Sequence, residues 1–246
     1  MLEGHASRVT VDDAEWETVH APVLHELERQ WRRHRGRLVV FLSGPPGSGK
    51  TTLAKLWEEL ARQGRIEVPV QALPMDGFHH SNRVLESRQI TINGTFMPLR
   101  RIKGRPETFD LPSLRQSLRA VKAGGTVCWP RYDRTLHDPL PGAIPVLSEG
   151  ILIVEGLYML LDLPGWNELR AEADCGVFLE CPEDVSRDDL IARKLSQGQS
   201  IEHAMAYYNL VDHYTWNLTM RHRQGIDMLI RIRPGRSLMI VRKTDE

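Results

Sequence analysis

The chain has 246 residues, with 32 Lys+Arg against 32 Asp+Glu for a formal net charge of +0, and is 41% hydrophobic and 26% charged. These ordinary globular proportions exclude a disordered or fibrous chain, and the charge balance excludes a general nucleic-acid binder, which carries a basic excess. No apolar run approaches the ~20 residues that cross a bilayer.

The N-terminal stretch MLEGHASRVTVDDAEWETV lacks the basic-then-apolar pattern of a signal peptide, so the chain reads as cytoplasmic. Three cysteines, Cys128, Cys175 and Cys181, without CxxC spacing form neither a disulfide framework nor a zinc knuckle, and read as buried thiols. In chain order, Asp12 and Asp13 cap a helix through Trp16, Val19, Val23, Leu24 and Leu27 to about Arg33. Its basic end (Arg29, Arg32, Arg33, Arg35, Arg37) suits a helix C-terminus, or else a partner surface. A homodimer through this N-terminal extension, residues 1–36, is one expectation.

Residues 38–42 (LVVFL) are a continuous apolar run, as in a buried parallel strand. A glycine-rich turn and a helix over 50–62 follow, then a strand over 68–73 ending at Pro74-Met75-Asp76. Residues 87–111, with Gly94, Pro98, Gly104 and Pro106, read as loop. A helix over 114–121, a short strand over 126–129 and buried strands over 151–154 and 176–180 come next. Helices over 183–196 and 200–221 precede strands over 226–232 and 237–241, which pair as a closing hairpin. Strands alternating with helices predict a parallel sheet with right-handed crossovers, in one α/β domain over 1–246.

Gly44-Pro45-Pro46-Gly47-Ser48-Gly49-Lys50-Thr51 matches GxxxxGK[ST] between a predicted strand and a predicted helix, the context a phosphate-binding loop requires. Glycine turns aim backbone N–H groups at phosphate oxygens, and the helix N-terminus adds partial positive charge. Gly44, Gly47, Ser48, Gly49, Lys50, Thr51 and Thr52 are the expected nucleotide contacts, with Lys50 on the β/γ-phosphates and the Thr51 hydroxyl on Mg²⁺. Glu155, directly after the strand over 151–154, is the expected second metal residue. Asp76 is the expected base toward an acceptor hydroxyl, with His79 and His80 as alternatives. A guanine-reading NKxD motif is lacking from the sequence, which argues against a GTPase. A nucleotide-hydrolysing switch or ATPase without a metabolite acceptor is the competing reading.

GPPGSGKTT, PMDGFHHSN, KGRPETFD, PRYDRTLHDP and IVEGLY, in that order over residues 38–232, resemble the uridine kinase / pantothenate kinase / phosphoribulokinase family of P-loop kinases. The resemblance implies a P-loop NTPase fold with a five-stranded parallel sheet, a helical lid over 183–198, and transfer of the ATP γ-phosphate to a hydroxyl of a small metabolite (pantothenate-like, a sugar or sugar acid, or a nucleoside). It makes Asp76 the base, Glu155 the acidic residue near Mg²⁺, and Asp110, Tyr132, His137 and Asn217 substrate contacts. It makes Arg187 and Arg193 lid arginines; Arg187 and Lys194 also share a helix face. Asp110 equally suits a helix cap, and Arg193 a surface pair with Asp189 at i, i+4. Arg134 stands where nucleoside-kinase members carry an aromatic residue, and Asp184 where they carry a lid arginine. The segment over 90–103 looks longer than usual, and its Arg100, Arg101 and Lys103 suit either a solvated loop or an anionic substrate.

Overall fold

The computed structural model describes residues 11–34 and 36–243; residues 1–10 of the predicted extension and Arg35 of its basic end lie outside them. Asp12 caps α1 (Asp13–Glu15), its Oδ1 accepting from the Glu15 amide at 2.7 Å. A π-turn over Trp16–His20 continues into α2 (Ala21–His34). Then come β1 (Arg37–Ser43), α3 (Lys50–Arg62), β2 (Val70–Pro74), α4 (Asn82–Ser87), the hairpin β3 (Gln89–Ile92) and β4 (Thr95–Pro98), and α5 (Leu111–Lys122). A second hairpin, β5 (Cys128–Asp133) and β6 (Asp138–Pro145), precedes β7 (Gly150–Gly156) and β8 (Cys175–Glu180). The chain ends with α6 (Glu183–Ser196), α7 (Ile201–Tyr207), α8 (His213–Arg221), β9 (Met228–Ile232) and β10 (Leu238–Lys243).

The central sheet has the order β10-β9-β8-β1-β7-β2. Five strands are parallel and β10 pairs antiparallel with β9, so the expected hairpin adds a sixth strand to the expected five. The period of two along β1 divides the core. Leu38, Val40 and Leu42 pack with Leu24, Leu27, Leu53 and Trp57 on one face. Val39 and Phe41 pack with Leu114, Leu118, Trp129 and Tyr158 on the other. The apolar stripe of the N-terminal helix is therefore buried against this face of the sheet.

Three segments differ from the sequence reading. Residues 87–111 are not featureless loop: β3 and β4 turn at Asn93-Gly94, both with positive φ (50° and 76°), as a tight hairpin demands. The strand placed over 126–129 runs on to Asp133 and pairs with β6, so the polar stretch after it is a hairpin. The helix over 200–221 is interrupted by a π-turn at Tyr208–Asp212. Of the three thiols, Cys175 and Cys181 are buried and Cys128 is exposed. Among the described residues, no helix is long and apolar enough to cross a membrane.

A third apolar cluster joins the first hairpin to the C-terminal helices: Leu85, Leu99, Ile102 and Val211, with Ile90, Ile92 and Tyr207 against them. It fixes the segment after β4 beside the C-terminal ends of β1, β2 and β7, where open α/β sheets bind ligands.

Candidate active site

The loop after β1 has the shape of a phosphate cradle. A Cβ on Gly44 would sit 2.5 Å from the Leu179 carbonyl oxygen, so only glycine lets the loop lie this close to β8. Gly47 and Gly49 take φ of 70° and 81°, turning the chain into α3, whose first-turn N–H groups have no intrahelical partner. The Ser48 hydroxyl is buried without a hydrogen-bond partner among the described residues. Lys50 is buried, and among the described residues its Nζ donates only to the Pro45 carbonyl, at 3.2 Å. A buried cation and hydroxyl left this short of partners fit an anion with several acceptor oxygens, and a triphosphate is such a group.

Thr51 Oγ1 donates to Glu155 Oε1 at 2.9 Å, joining the start of α3 to the end of β7. Burial pushes Glu155 up to about 7, helped by the charge of Asp76 and opposed by Lys50, the Thr51 hydrogen bond and Arg134. Burial pushes Lys50 down, while Glu155 and Asp76 pull it back up. These groups thus sense one another within a single cleft of about 540 Å³ that they line together with Asp76.

Asp76 lies in a 3-10 turn (Met75–Phe78) directly after β2. The turn is pinned to the second hairpin: a Cβ on Gly77 would fall 2.3 Å from the Pro130 carbonyl oxygen. His79 Nδ1 lies 2.8 Å from the Asp76 carbonyl oxygen, and its ring packs against Phe109 (3.9 Å between centroids) and Tyr132 (5.2 Å). Burial lowers its pKa, against the opposing influence of Asp76. Tyr132 and His137 come from the β5–β6 hairpin, and both line the cleft.

The predicted lid helix is α6. Ser186 Oγ donates to the Pro46 carbonyl at 2.6 Å, and a Cβ on Gly47 would meet the Ser186 carbonyl at 2.8 Å, so α6 packs directly on the phosphate loop. Arg193 and Lys194, in its last turn, line the cleft. Asp189 ion-pairs with Arg236 and not with Arg193, and the surface pair at i, i+4 does not form. Lys194 Nζ sits 3.5 Å from the centroid of Tyr207.

Arg187, Asp110, Asn217 and Thr52 do not line this cleft. Arg187 is exposed and pairs with its neighbour Asp188 at 3.0 Å. Asp110 caps α5, its carboxylate accepting from the Ser113 amide at 3.1 Å and hydroxyl at 2.8 Å. It lines a smaller pocket with Gly77, Phe78 and His79. Asn217 Nδ2 donates back to the His213 carbonyl at 3.0 Å. Thr52 is exposed on the first turn of α3.

The cleft also gathers residues the sequence reading gave no role, Gln199 from the turn between α6 and α7 and His203, Tyr207 and Asp212 from the helices after it, and Arg134, which the sequence singled out, lines it from the second hairpin. Asp212 belongs to the π-turn, a backbone feature without a pattern in its residue types. Arg100 and Lys103 line the cleft too, while Arg101 is exposed.

A family model, Phosphoribulokinase / Uridine kinase family, matches residues 39–238. The chain is 43% identical over 212 residues to the uncharacterized protein YggC of Escherichia coli (strain K12), covering 86% of this chain and 85% of that protein. It is 30% identical over 198 residues to the pantothenate kinase of Bradyrhizobium sp., covering 76% of this chain and 59% of the relative. Among solved structures, the "putative fructose transport system kinase" of Silicibacter sp. TM1040 superimposes with a TM-score of 0.75 at 36% identity, covering 86% of this chain and 98% of that one.

Proposed function

The chain belongs to the phosphoribulokinase / uridine kinase family, and from that premise we propose that it transfers the γ-phosphoryl group of ATP to a hydroxyl of a small metabolite. The observation that carries this reading is the meeting of Lys50, Thr51, Glu155 and Asp76 in one cleft, with Thr51 and Glu155 2.9 Å apart. ATP supplies the phosphoryl group, and Mg²⁺ neutralises charge on its β- and γ-oxygens.

Each residue then has a task. Lys50, the loop N–H groups and the Ser48 hydroxyl hold phosphate oxygens. Thr51 and Glu155 hold the metal. The Asp76 carboxylate takes the acceptor's proton as the acceptor oxygen bonds to phosphorus and the bridging P–O bond to ADP breaks. Arg193 and Lys194 stabilise negative charge on the transferred group and help exclude water. Tyr132 and His137 face the acceptor. Every residue used comes from one chain. The nucleotide and metabolite this chemistry consumes are those of the cytoplasm, where we place the enzyme.

The acceptor belongs to one of three classes: pantothenate-like, a sugar or sugar acid, or a nucleoside. Asp76→Asn tests the reading. The variant should bind ATP as the parent does and lose most acceptor-dependent ADP production in a coupled assay; near-parental transfer refutes the base assignment.

A further inference from the structure

Lys50, Arg193 and Lys194 account for the cations near the phosphate loop. Three more line the same cleft from the two hairpins: Arg100 and Lys103 follow β4, and Arg134 sits at the β5–β6 turn. Among the described residues, none of the three has a carboxylate within ion-pair distance, whereas Arg131 of the same hairpin reaches Asp133. Asp138 is engaged instead by the Asn82 amide, 2.7 Å away. Asp76 and Glu155 are committed to the proton and the metal.

Lys103 is held in place rather than solvated. Its side chain is only 8% exposed, and its Nζ donates to Asn82 Oδ1 at 2.8 Å and to the His137 carbonyl at 2.7 Å. It lies 4.9 Å from the centre of the Tyr132 ring. An ammonium has three donors, so one remains for a ligand. His137 takes φ of 52°, uncommon for a residue with a side chain, and its carbonyl is one of the two that fix Lys103. Burial, and then the like charge of Arg100, push the Lys103 ammonium down to about 8, against the opposing charges of Asp138 and Asp76. Gathering like charges around a buried ammonium costs stability unless a ligand repays it, and such arrangements concentrate at functional sites.

We propose that the acceptor is an anionic hydroxylated metabolite whose carboxylate or phosphate is held by Arg100, Lys103 and Arg134. The inference rests on the kinase reading and narrows it: Asp138 and Asp76 offset only part of the charge at Lys103, and of the three classes a neutral sugar or nucleoside adds nothing to balance the three cations. The planar guanidinium groups of Arg100 and Arg134 can each hold an oxyanion in two-pronged fashion.

The test is a coupled assay on matched pairs: a sugar alcohol against the corresponding sugar acid, and a sugar against its phosphate ester at another hydroxyl. One anionic member should exceed its neutral partner in kcat/KM by roughly a hundredfold. The acid and ester arms tell carboxylate from phosphate. Arg100→Gln and Arg134→Gln should each raise KM for that member by roughly ten- to a hundredfold, the worth of a charge-assisted hydrogen bond, with a smaller change in kcat. They should also weaken binding of malonate or orthophosphate measured by calorimetry with the phosphate loop saturated by a non-hydrolysable ATP analogue. Equal use of neutral and anionic partners, or variants that leave their ratio unchanged, overturns the inference while the kinase stands. ATP consumption that no acceptor of either kind stimulates overturns the kinase reading itself, and the inference with it.

Discussion

The Thr51 hydroxyl donates to the Glu155 carboxylate across 2.9 Å, and this bond ties the first turn of the helix after the phosphate loop to the end of the neighbouring strand. Glu155→Gln keeps the shape and an acceptor oxygen but removes the charge. Turnover should fall by roughly a hundredfold or more, as when a single electrostatic partner of the transition state is lost. Stability to urea should not fall, because a neutral amide costs less to bury than a carboxylate. A variant that was both active and unstable would mean that Glu155 serves the fold rather than the metal.

The cradle was legible because its chemistry is local: GPPGSGKT needs only the strand before it and the helix after it, and both were plain in the apolar pattern. Asp76 and Glu155 were legible for the same reason, each following a buried strand. The β3–β4 hairpin was legible and was missed, since Ile90-Thr91-Ile92-Asn93-Gly94 carries both the alternation and the turn pair. Asp212 and Gln199 were not legible. They reach the cleft through a π-turn and through packing of α7 against Leu99 and Ile102, and no residue pattern encodes either. Asp110 and Asn217 keep their places in the motifs while their side chains hold a helix cap and a helix carbonyl, contacts that depend on the packed helices and not on the motif.

Gly77 separates Asp76 from the β5–β6 hairpin. Its Cβ position lies 2.3 Å from the Pro130 carbonyl oxygen and 2.5 Å from its carbon, both backbone atoms with no side-chain torsion to relieve the clash. Gly77→Ala should therefore destabilise the protein by about 1–3 kcal/mol, the range of overpacking, and lower kcat by displacing Asp76. Thermal unfolding and steady-state kinetics measure both; an unchanged melting temperature would mean that the hairpin yields freely.

The two lid arginines should differ. Arg187 is exposed and bonded to Asp188, whereas Arg193 lines the cleft and lowers the pKa of Lys50 through its charge. Arg193→Ala should reduce kcat by roughly a hundredfold. Arg187→Ala should leave stability and turnover close to the parent's, as surface substitutions do. Equal kinetic losses in the two variants would show that the helix rotates to bring Arg187 inward during turnover.

Asp212 offers a test by pH. It is 8% exposed, and its Oδ2 has no hydrogen-bond partner among the described residues. Burial raises its pKa from 3.8 to about 6, against the pull of Lys194 and Arg193. A carboxyl whose folded pKa is raised favours the fold in its neutral form. That contribution is complete below the unfolded value near 3.8 and is lost as pH rises through about 6. At neutral pH the buried charge is then a cost, and Asp212→Asn, which cannot ionise, escapes it. The variant should be more stable than the parent at pH 7 by about 2–3 kcal/mol, and the gap should close toward pH 4. Urea unfolding across that range measures it. Turnover should move the other way, since Asn cannot hold Lys194 and Arg193 by charge, and a stability gain bought with activity is the mark of a residue kept for function. A gap that stayed constant with pH would instead trace the gain to packing, and the carboxylate would have no part in setting the lid.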